Sequence, residues 1–206
     1  MRQPVIGVTG LPCTGKSYAA GLLAAGRVEG VPAGVLLKAD DIGHDILTRE
    51  DVRRVLRDRF GDGVVSSSDP AAIRRAIAAR VFSEPAELAW LEALVHPLVT
   101  AEAEREIAAA AGARPVVIEA ALLFAADLDL RCDRVLIVEA TFAARLRRAE
   151  KRGWDREELE KRERRQIPLF DAAQNRPSRD RFVHVRNDDD DTLLASRIAT
   201  ALGGRS

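Results

Sequence analysis

The sequence predicts an α/β fold, a three-layer sandwich with helices on both faces of a five-stranded parallel sheet. Three observations carry this. Short apolar runs recur along the 206 residues without the polar alternation of a half-exposed strand. Helix-like stretches lie between them, and a parallel connection needs a crossover of about a dozen residues or more. The first run ends in a glycine-rich turn that opens into a helix.

Taken in order, Val5-Ile6-Gly7-Val8 is the first strand, ended by Thr9-Gly10. A helix should begin near Lys16-Ser17 and run through Leu22-Leu23. Val35-Leu36-Leu37 is the second strand, Val116-Val117-Ile118 the third and Val135-Leu136-Ile137-Val138 the fourth. Phe182-Val183-His184-Val185 is a weaker fifth. The gap between the second and third strands, nearly 80 residues, far exceeds a simple crossover. The segment from about 41 to 113 is therefore expected to be a helical, substrate-binding insertion in a single domain spanning 1–206. Between Arg145 and Arg165 stand ten Lys/Arg against six Asp/Glu, a second unusual stretch. The acidic run Asp188–Asp191 reads as carboxylates at the start of a last helix, where the helix dipole favours them.

Composition narrows the function classes. Hydrophobic residues make up 47% of the chain but aromatics only 4%, so the core is aliphatic. The 32 basic and 32 acidic side chains cancel. Whole-chain electrostatics thus offer nothing to nucleic acid or a membrane surface, and any anion site must be local. No apolar run approaches the roughly 20 residues of a membrane helix. The N-terminus lacks the apolar core of a signal peptide, so a cytoplasmic location is expected. The cysteines, Cys13 and Cys132, make neither a disulfide framework nor a zinc site.

Gly10-Leu11-Pro12-Cys13-Thr14-Gly15-Lys16-Ser17 fits the pattern G-x-x-x-x-G-K-[ST], between a strand and a helix. Glycines let the backbone turn tightly and aim successive N–H groups at phosphate oxygens, and the helix adds its positive N-terminal end. This is a phosphate loop, and it implies a P-loop NTPase fold. Lys16 is expected on the β- and γ-phosphates of ATP, with the Ser17 hydroxyl on Mg²⁺. The residues assigned to the nucleotide are Gly10, Cys13, Thr14, Gly15, Lys16, Ser17 and Tyr18. No Asn-Lys-x-Asp guanine reader is present, which separates the chain from GTPases.

Further motifs extend the reading: Lys38-Ala39-Asp40 after the second strand, Phe60-Gly61, Leu91-Glu92 with His96-Pro97, Ala121-Leu122-Leu123-Phe124, Arg148, Arg152 and Gln166, and a late Asn187. In this order they resemble the dephospho-CoA kinase family across nearly the whole chain. The resemblance implies phosphoryl transfer from ATP to the ribose 3′-hydroxyl of dephospho-CoA, giving CoA and ADP, and strand order 2-3-1-4-5. It implies Asp40 as the catalytic base, with His96 on the acceptor side. Arg148 and Arg152 would belong to a lid over about 145–168 and neutralise charge on the transferring phosphoryl group, and Asn187 would belong to the nucleotide site. A monomer is the favoured assembly.

Each residue also has a plainer reading. Asp40 can be a helix cap, His96 a packed side chain closing a helix before Pro97, and the arginines one solvated helix face. The family pattern is broken by Lys38 for its first Asp, by Ala121 and Ala125 for Pro and Glu, and by Tyr18 for Thr. Acceptors other than dephospho-CoA, or a nucleotide-binding regulator, stay open on the residues alone. Glu119, ending the third strand, is expected to take over Mg²⁺ or acceptor binding near Ala125; otherwise it pairs with a lysine or arginine. Lys38 is expected to share a strand face with Asp40 and hold it ionised.

Overall fold

A computed structural model describes residues 3–81, 84–110, 112, 114–188 and 193–203. Its contacts divide the chain into two compact units, one of residues 1–38 and 106–206, the other of 39–105.

The first unit holds the sheet. Its strands are β1 (Val5–Thr9), β2 (Val35–Lys38), β3 (Val116–Glu119), β4 (Arg134–Glu139) and β5 (Phe182–Arg186). All pairings are parallel, in the expected order β2-β3-β1-β4-β5. Central β1 and β3 are buried at every residue, as their unbroken apolar runs require. Edge strands β2 and β5 mix buried and exposed residues. The chain leaves β1 toward one side of the sheet and later crosses to the other. Ligands in such sheets bind where strand order reverses, outside the carboxyl ends.

Alternation sorts the side chains to two faces. Ile6, Val8, Val117, Leu136, Val138 and Val185 pack against α1 (Lys16–Ala24) and α8 (Leu194–Gly203). Ala19 and Ala20 of α1 are fully buried and let the helix lie close to the sheet. On the opposite face Phe124 stacks edge-on to Phe170 at 5.4 Å and lies 5.2 Å from Phe182. Two helices, α6 (Phe142–Glu150) and α7 (Arg156–Ala173), are joined by a buried ion pair between Arg145 and Glu163. Each is capped from its own sequence, α6 by the Thr141 hydroxyl and α7 by the Asp155 carboxylate.

The second unit carries α2 (Ala39–Ile46), α3 (Glu50–Phe60), a 3₁₀ turn at Asp62–Val64, α4 (Pro70–Val81) and most of α5 (Pro85–Ala109). Leu56, Ile73, Ile77 and Val81 are buried. Phe60 meets Trp90 edge-on at 5.4 Å, and Arg59 lies over the same indole while pairing with Glu87. Gly61, with φ 87°, ends α3 where an L-residue would be strained.

Several expectations are corrected. Asp40 is the second residue of α2 rather than an extended strand end, so it shares no strand face with Lys38. The strand stops at Lys38 because Asp40 and Asp41 sit in the first turn of a helix, where the dipole favours carboxylates. His96 does not close a helix: α5 continues past Pro97, whose ring lies on the exposed side. Likewise α7 passes through Pro168. Each proline deletes one N–H bond, and in helices of 25 and 18 residues the remaining bonds bridge the gap. Asp188 accepts from the Thr141 N–H at 2.5 Å, so it caps the entry to α6 rather than a last helix. That bond holds its carboxyl below the usual carboxylate range. The rest of the acidic run, 189–191, lies outside the described residues. No described helix is long and apolar enough to cross a membrane.

Cys132 is fully buried where the chain turns into β4, its thiol 3.3 Å from the Leu128 carbonyl. Burial, with the nearby Asp129 and Asp133 carboxylates, pushes the thiol up to about 12. A thiol so raised stays protonated, and the thiolate is the nucleophile. Iodoacetamide at pH 8 should therefore leave Cys132 unmodified in the native protein and alkylate it once denaturant unfolds the chain. Peptide mass mapping reads the outcome, and rapid native labelling would contradict the packing.

Candidate active site

The loop between β1 and α1 supplies the site's frame. Thr9 ends β1, and Gly10 follows where a β-carbon would stand 2.3 Å from the Val138 carbonyl oxygen of β4. Only glycine allows the loop to leave the sheet this close to the neighbouring strand. Cys13 adopts a left-handed φ of 62° and Gly15 one of 98°. Such alternation makes a concave run of N–H groups suited to an anion. Gly15 is the N-cap of α1, with no side-chain cap and no acidic residue in the first turn. The first N–H groups of α1 are thus left to a ligand or water.

Lys16 and Ser17 begin α1. Ser17 donates its hydroxyl to a carboxylate oxygen of Glu119, at the carboxyl end of β3. Glu119 is 8% exposed and sits in register with Val8 on one side and Lys38 on the other. In-register residues of parallel strands project from the same face. Glu119 therefore points to the α1 side, as Val8 does. Its hydrogen-bond partner is Ser17, not the arginine or lysine that a structural strand-end carboxylate would take. Lys38 is exposed on that face beside Glu119, and not beside Asp40.

Arg148 and Asn187 stand behind the loop. Arg148 reaches from α6 and donates to the carbonyls of Cys13 at 3.3 Å, Thr14 at 3.4 Å and Asn187 at 2.7 Å. Asn187, 1% exposed, donates its side-chain amide to the Thr14 carbonyl at 2.8 Å. The Cys13 side chain is buried against Ala149 and Leu159 and faces away from any ligand. Tyr18 is 40% exposed on the outer side of the first turn. Arg152 is exposed just past α6, its guanidinium 5.9 Å from the Trp154 ring, which Arg162 also covers at 4.1 Å.

Thus Gly10, Cys13, Thr14, Gly15, Lys16, Ser17, Glu119, Arg148 and Asn187 come together in the first unit. Asp40, Asp41 and the half-buried His96 belong to the second unit, where both aspartates are exposed. Sequence reading missed the Ser17–Glu119 pair, because residues 102 apart in sequence meet only through β1–β3 pairing. It also missed the Arg145–Glu163 brace; the mixed charge of that stretch was its one signal.

A family model described as CoaE, dephospho-CoA kinase, matches residues 4–187. A dephospho-CoA kinase of Chlorobaculum tepidum is 38% identical over 80% of this chain and 79% of its own length. One from Deinococcus radiodurans is 38% identical over 79% of this chain and 75% of its own. A crystal structure from Thermus thermophilus, 30% identical, superposes with a TM-score of 0.78 over 100% of both chains. Dephospho-CoA kinase from Campylobacter jejuni shares the fold at 16% identity, with a TM-score of 0.59 over 99% of this chain and 98% of its own.

Gly15 offers a direct test of the loop. A β-carbon there would stand 2.3 Å from the Asn187 amide nitrogen, on a backbone at φ 98°. Gly15→Ala should lower stability by about 1–3 kcal/mol, the scale of such strain. It should also weaken ADP binding at least about tenfold, since displaced loop N–H groups lose their phosphate bonds. Thermal melts and calorimetric titration measure both; unchanged ADP affinity would contradict this geometry.

Proposed function

The chain belongs to the dephospho-CoA kinase family, and we propose that it transfers the γ-phosphoryl group of ATP to the ribose 3′-hydroxyl of dephospho-CoA, releasing CoA and ADP. The observation that carries this is the meeting of the phosphate loop with Glu119: an open helix N-terminus, Lys16, and a hydroxyl bonded to a carboxylate, side by side at the carboxyl end of the sheet.

Ser17 and Glu119 fit Mg²⁺. Both are hard oxygen donors, and this cation takes one or two protein oxygens, substrate phosphates and waters. When bound there, Mg²⁺ supplies charge neutralisation on the β- and γ-phosphates. Phosphoryl transfer asks a protein mainly for positioning and electrostatic stabilisation. The loop N–H groups orient the phosphates, and Lys16 follows the charge as it shifts toward the leaving oxygen. Arg152, exposed past α6, is the lid arginine that acts on the transferred phosphoryl group. His96 contributes to holding the acceptor.

Asp40 accepts the proton of the attacking hydroxyl. A ribose hydroxyl loses its proton late in a loose transition state, so a placed carboxylate serves better than a strong base. Its position in the first turn directly after β2 supports this, since chain continuity ties it to the carboxyl end of a strand of the sheet. A single-domain enzyme of this size working as a cytoplasmic monomer completes the reading.

Turnover with dephospho-CoA, followed as ADP and CoA formation, tests the proposal against a panel of nucleosides and sugars. Asp40→Asn should lower kcat by roughly 10²–10⁴, the usual range for general acid–base groups. ATP affinity should stay within a factor of about two, because the uncharged amide keeps the shape. Asp41 projects about 100° further round α2 and should tolerate the same change better. A larger loss at Asp41 would move the base to that residue.

Glu119→Gln bears on the cation. It should raise the Mg²⁺ concentration for half-maximal activity about tenfold or more, the scale on which metal-site partners act. Mg²⁺ titrations of the two proteins at saturating substrates give the answer. An unchanged midpoint would remove Glu119 from the metal site.

A further inference from the structure

The geometry points to Arg148 and Asn187 as positioning residues that hold the phosphate loop in its binding shape from behind, through its backbone carbonyls. This rests on the phosphate-loop reading above, and it gives Arg148 a task other than touching the transferred phosphoryl group.

A peptide that turns its N–H toward a phosphate turns the neighbouring carbonyls outward. An outward carbonyl shut away from water needs a donor, or the turn loses more than it gains. Here the outward carbonyls are those of left-handed Cys13 and of Thr14, which lies between it and left-handed Gly15. Thr14 is 2% exposed, so bulk water does not serve it. Two donors make three bonds to them instead: one terminal nitrogen of Arg148 spans the Cys13 and Thr14 carbonyls, and the Asn187 amide adds a 2.8 Å bond to Thr14. The Thr14 hydroxyl, inside the loop, donates to the Leu11 carbonyl at 3.0 Å and tightens the same turn.

The donors are themselves fixed. Asn187 follows β5, and its N–H donates to the Glu139 carbonyl of β4 at 2.8 Å, extending the ladder by one bond. Its own carbonyl accepts the other terminal nitrogen of Arg148 at 2.7 Å. The two side chains and the loop thus form one closed set in which each holds the others. Its amide nitrogen occupies the space a β-carbon on Gly15 would need, so the loop rests directly on it. On the far side the buried Cys13 side chain pins the loop to Ala149 and Leu159. An arginine that acts on a transferring phosphoryl group must present its guanidinium to it, whereas both terminal nitrogens of Arg148 are engaged with backbone carbonyls. Arg152, one turn further along and exposed, is the arginine placed to reach outward.

The experiment compares the full-length protein with Arg148→Ala, Asn187→Ala, the double variant and the near-isosteric Asn187→Asp. ADP affinity without Mg²⁺ is measured by calorimetry, and kcat and both KM values by turnover. Each single variant should weaken ADP about tenfold, the cost of losing a donor to a buried carbonyl. kcat/KM for ATP should fall in parallel, with KM for dephospho-CoA within about twofold. The double variant should be clearly less than additive, because both residues serve the Thr14 carbonyl. Asn187→Asp removes the donor while keeping the volume, so a tenfold loss of ADP affinity measured at a temperature where thermal melts show the variant folded separates positioning from general destabilisation. Wild-type ADP affinity in Arg148→Ala with a large drop in kcat would overturn the inference and return Arg148 to the phosphoryl group. Additive effects of the two substitutions would overturn it as well. If the wild-type protein binds ADP without turning over dephospho-CoA, the acceptor assignment fails while the ADP titrations still decide this one. Failure of the wild-type protein to bind ADP would overturn both.

Discussion

Converging peptide N–H groups on one point leaves the intervening carbonyls facing the protein, and the whole sheet-bearing unit is arranged around that demand. The turn from Gly10 to Gly15 holds two left-handed residues, a conformation that persists where the surrounding structure over-determines it. What keeps it is its surroundings. β4 stands against Gly10, the residue after β5 bonds Thr14, and α6 sends Arg148 across to the same carbonyls. Strand order therefore has a chemical consequence. Because β4 and β5 lie to one side of β1, their carboxyl ends can brace the loop, while β3 on the other side brings Glu119 to Ser17.

The division between the two sides of β1 is also a division of charge. On the β3 side are the Glu119 carboxylate, the Ser17 hydroxyl bonded to it and the exposed Lys38 in register with Glu119. On the β4–β5 side the loop is satisfied by a guanidinium and a neutral amide, so a positive side chain lies behind a site meant for anions. A chain with zero net charge needs such local placement, since its overall field attracts no phosphate ligand. The position of Lys38 follows from register. In β2 it lies opposite Glu119, and once α2 begins at Ala39 no strand face is shared with Asp40.

Buried charge also shapes the helices beyond β4. Arg145 and Glu163 pair between α6 and α7 at 7% exposure each. Removing either partner alone would leave the other as an uncompensated buried charge, costing about 3–5 kcal/mol. Such a pair fixes how the two helices lie together more than it adds to stability. The orientation matters because α6 also carries Arg148, and an angular slip there would draw its guanidinium off the loop.

The strands, the loop and the helix after it were legible in the sequence because their signals are local. Unbroken apolar runs mark buried parallel strands, and a glycine pattern between strand and helix marks an anion-binding turn. The strand order and the expectations for Lys16 and Ser17 followed from that pattern and from the family resemblance, while the expectation for Glu119 came from its place at a strand end near Ala125. Helix continuity through Pro97 and Pro168 was not legible. A proline's local cost argues for a break, and only the length and packing of the surrounding helix decide that the break is bridged. Nor was the helical state of Asp40, where a four-residue strand and an acidic helix start compete over the same few residues. The Ser17–Glu119 bond and the bracing of Thr14 by Arg148 and Asn187 join residues 102, 134 and 173 positions apart. Sequence alone determined which groups this protein owns. Tertiary structure decided which of them meet, because strand pairing and helix packing, not spacing along the chain, bring a carbonyl and its donor within hydrogen-bonding distance.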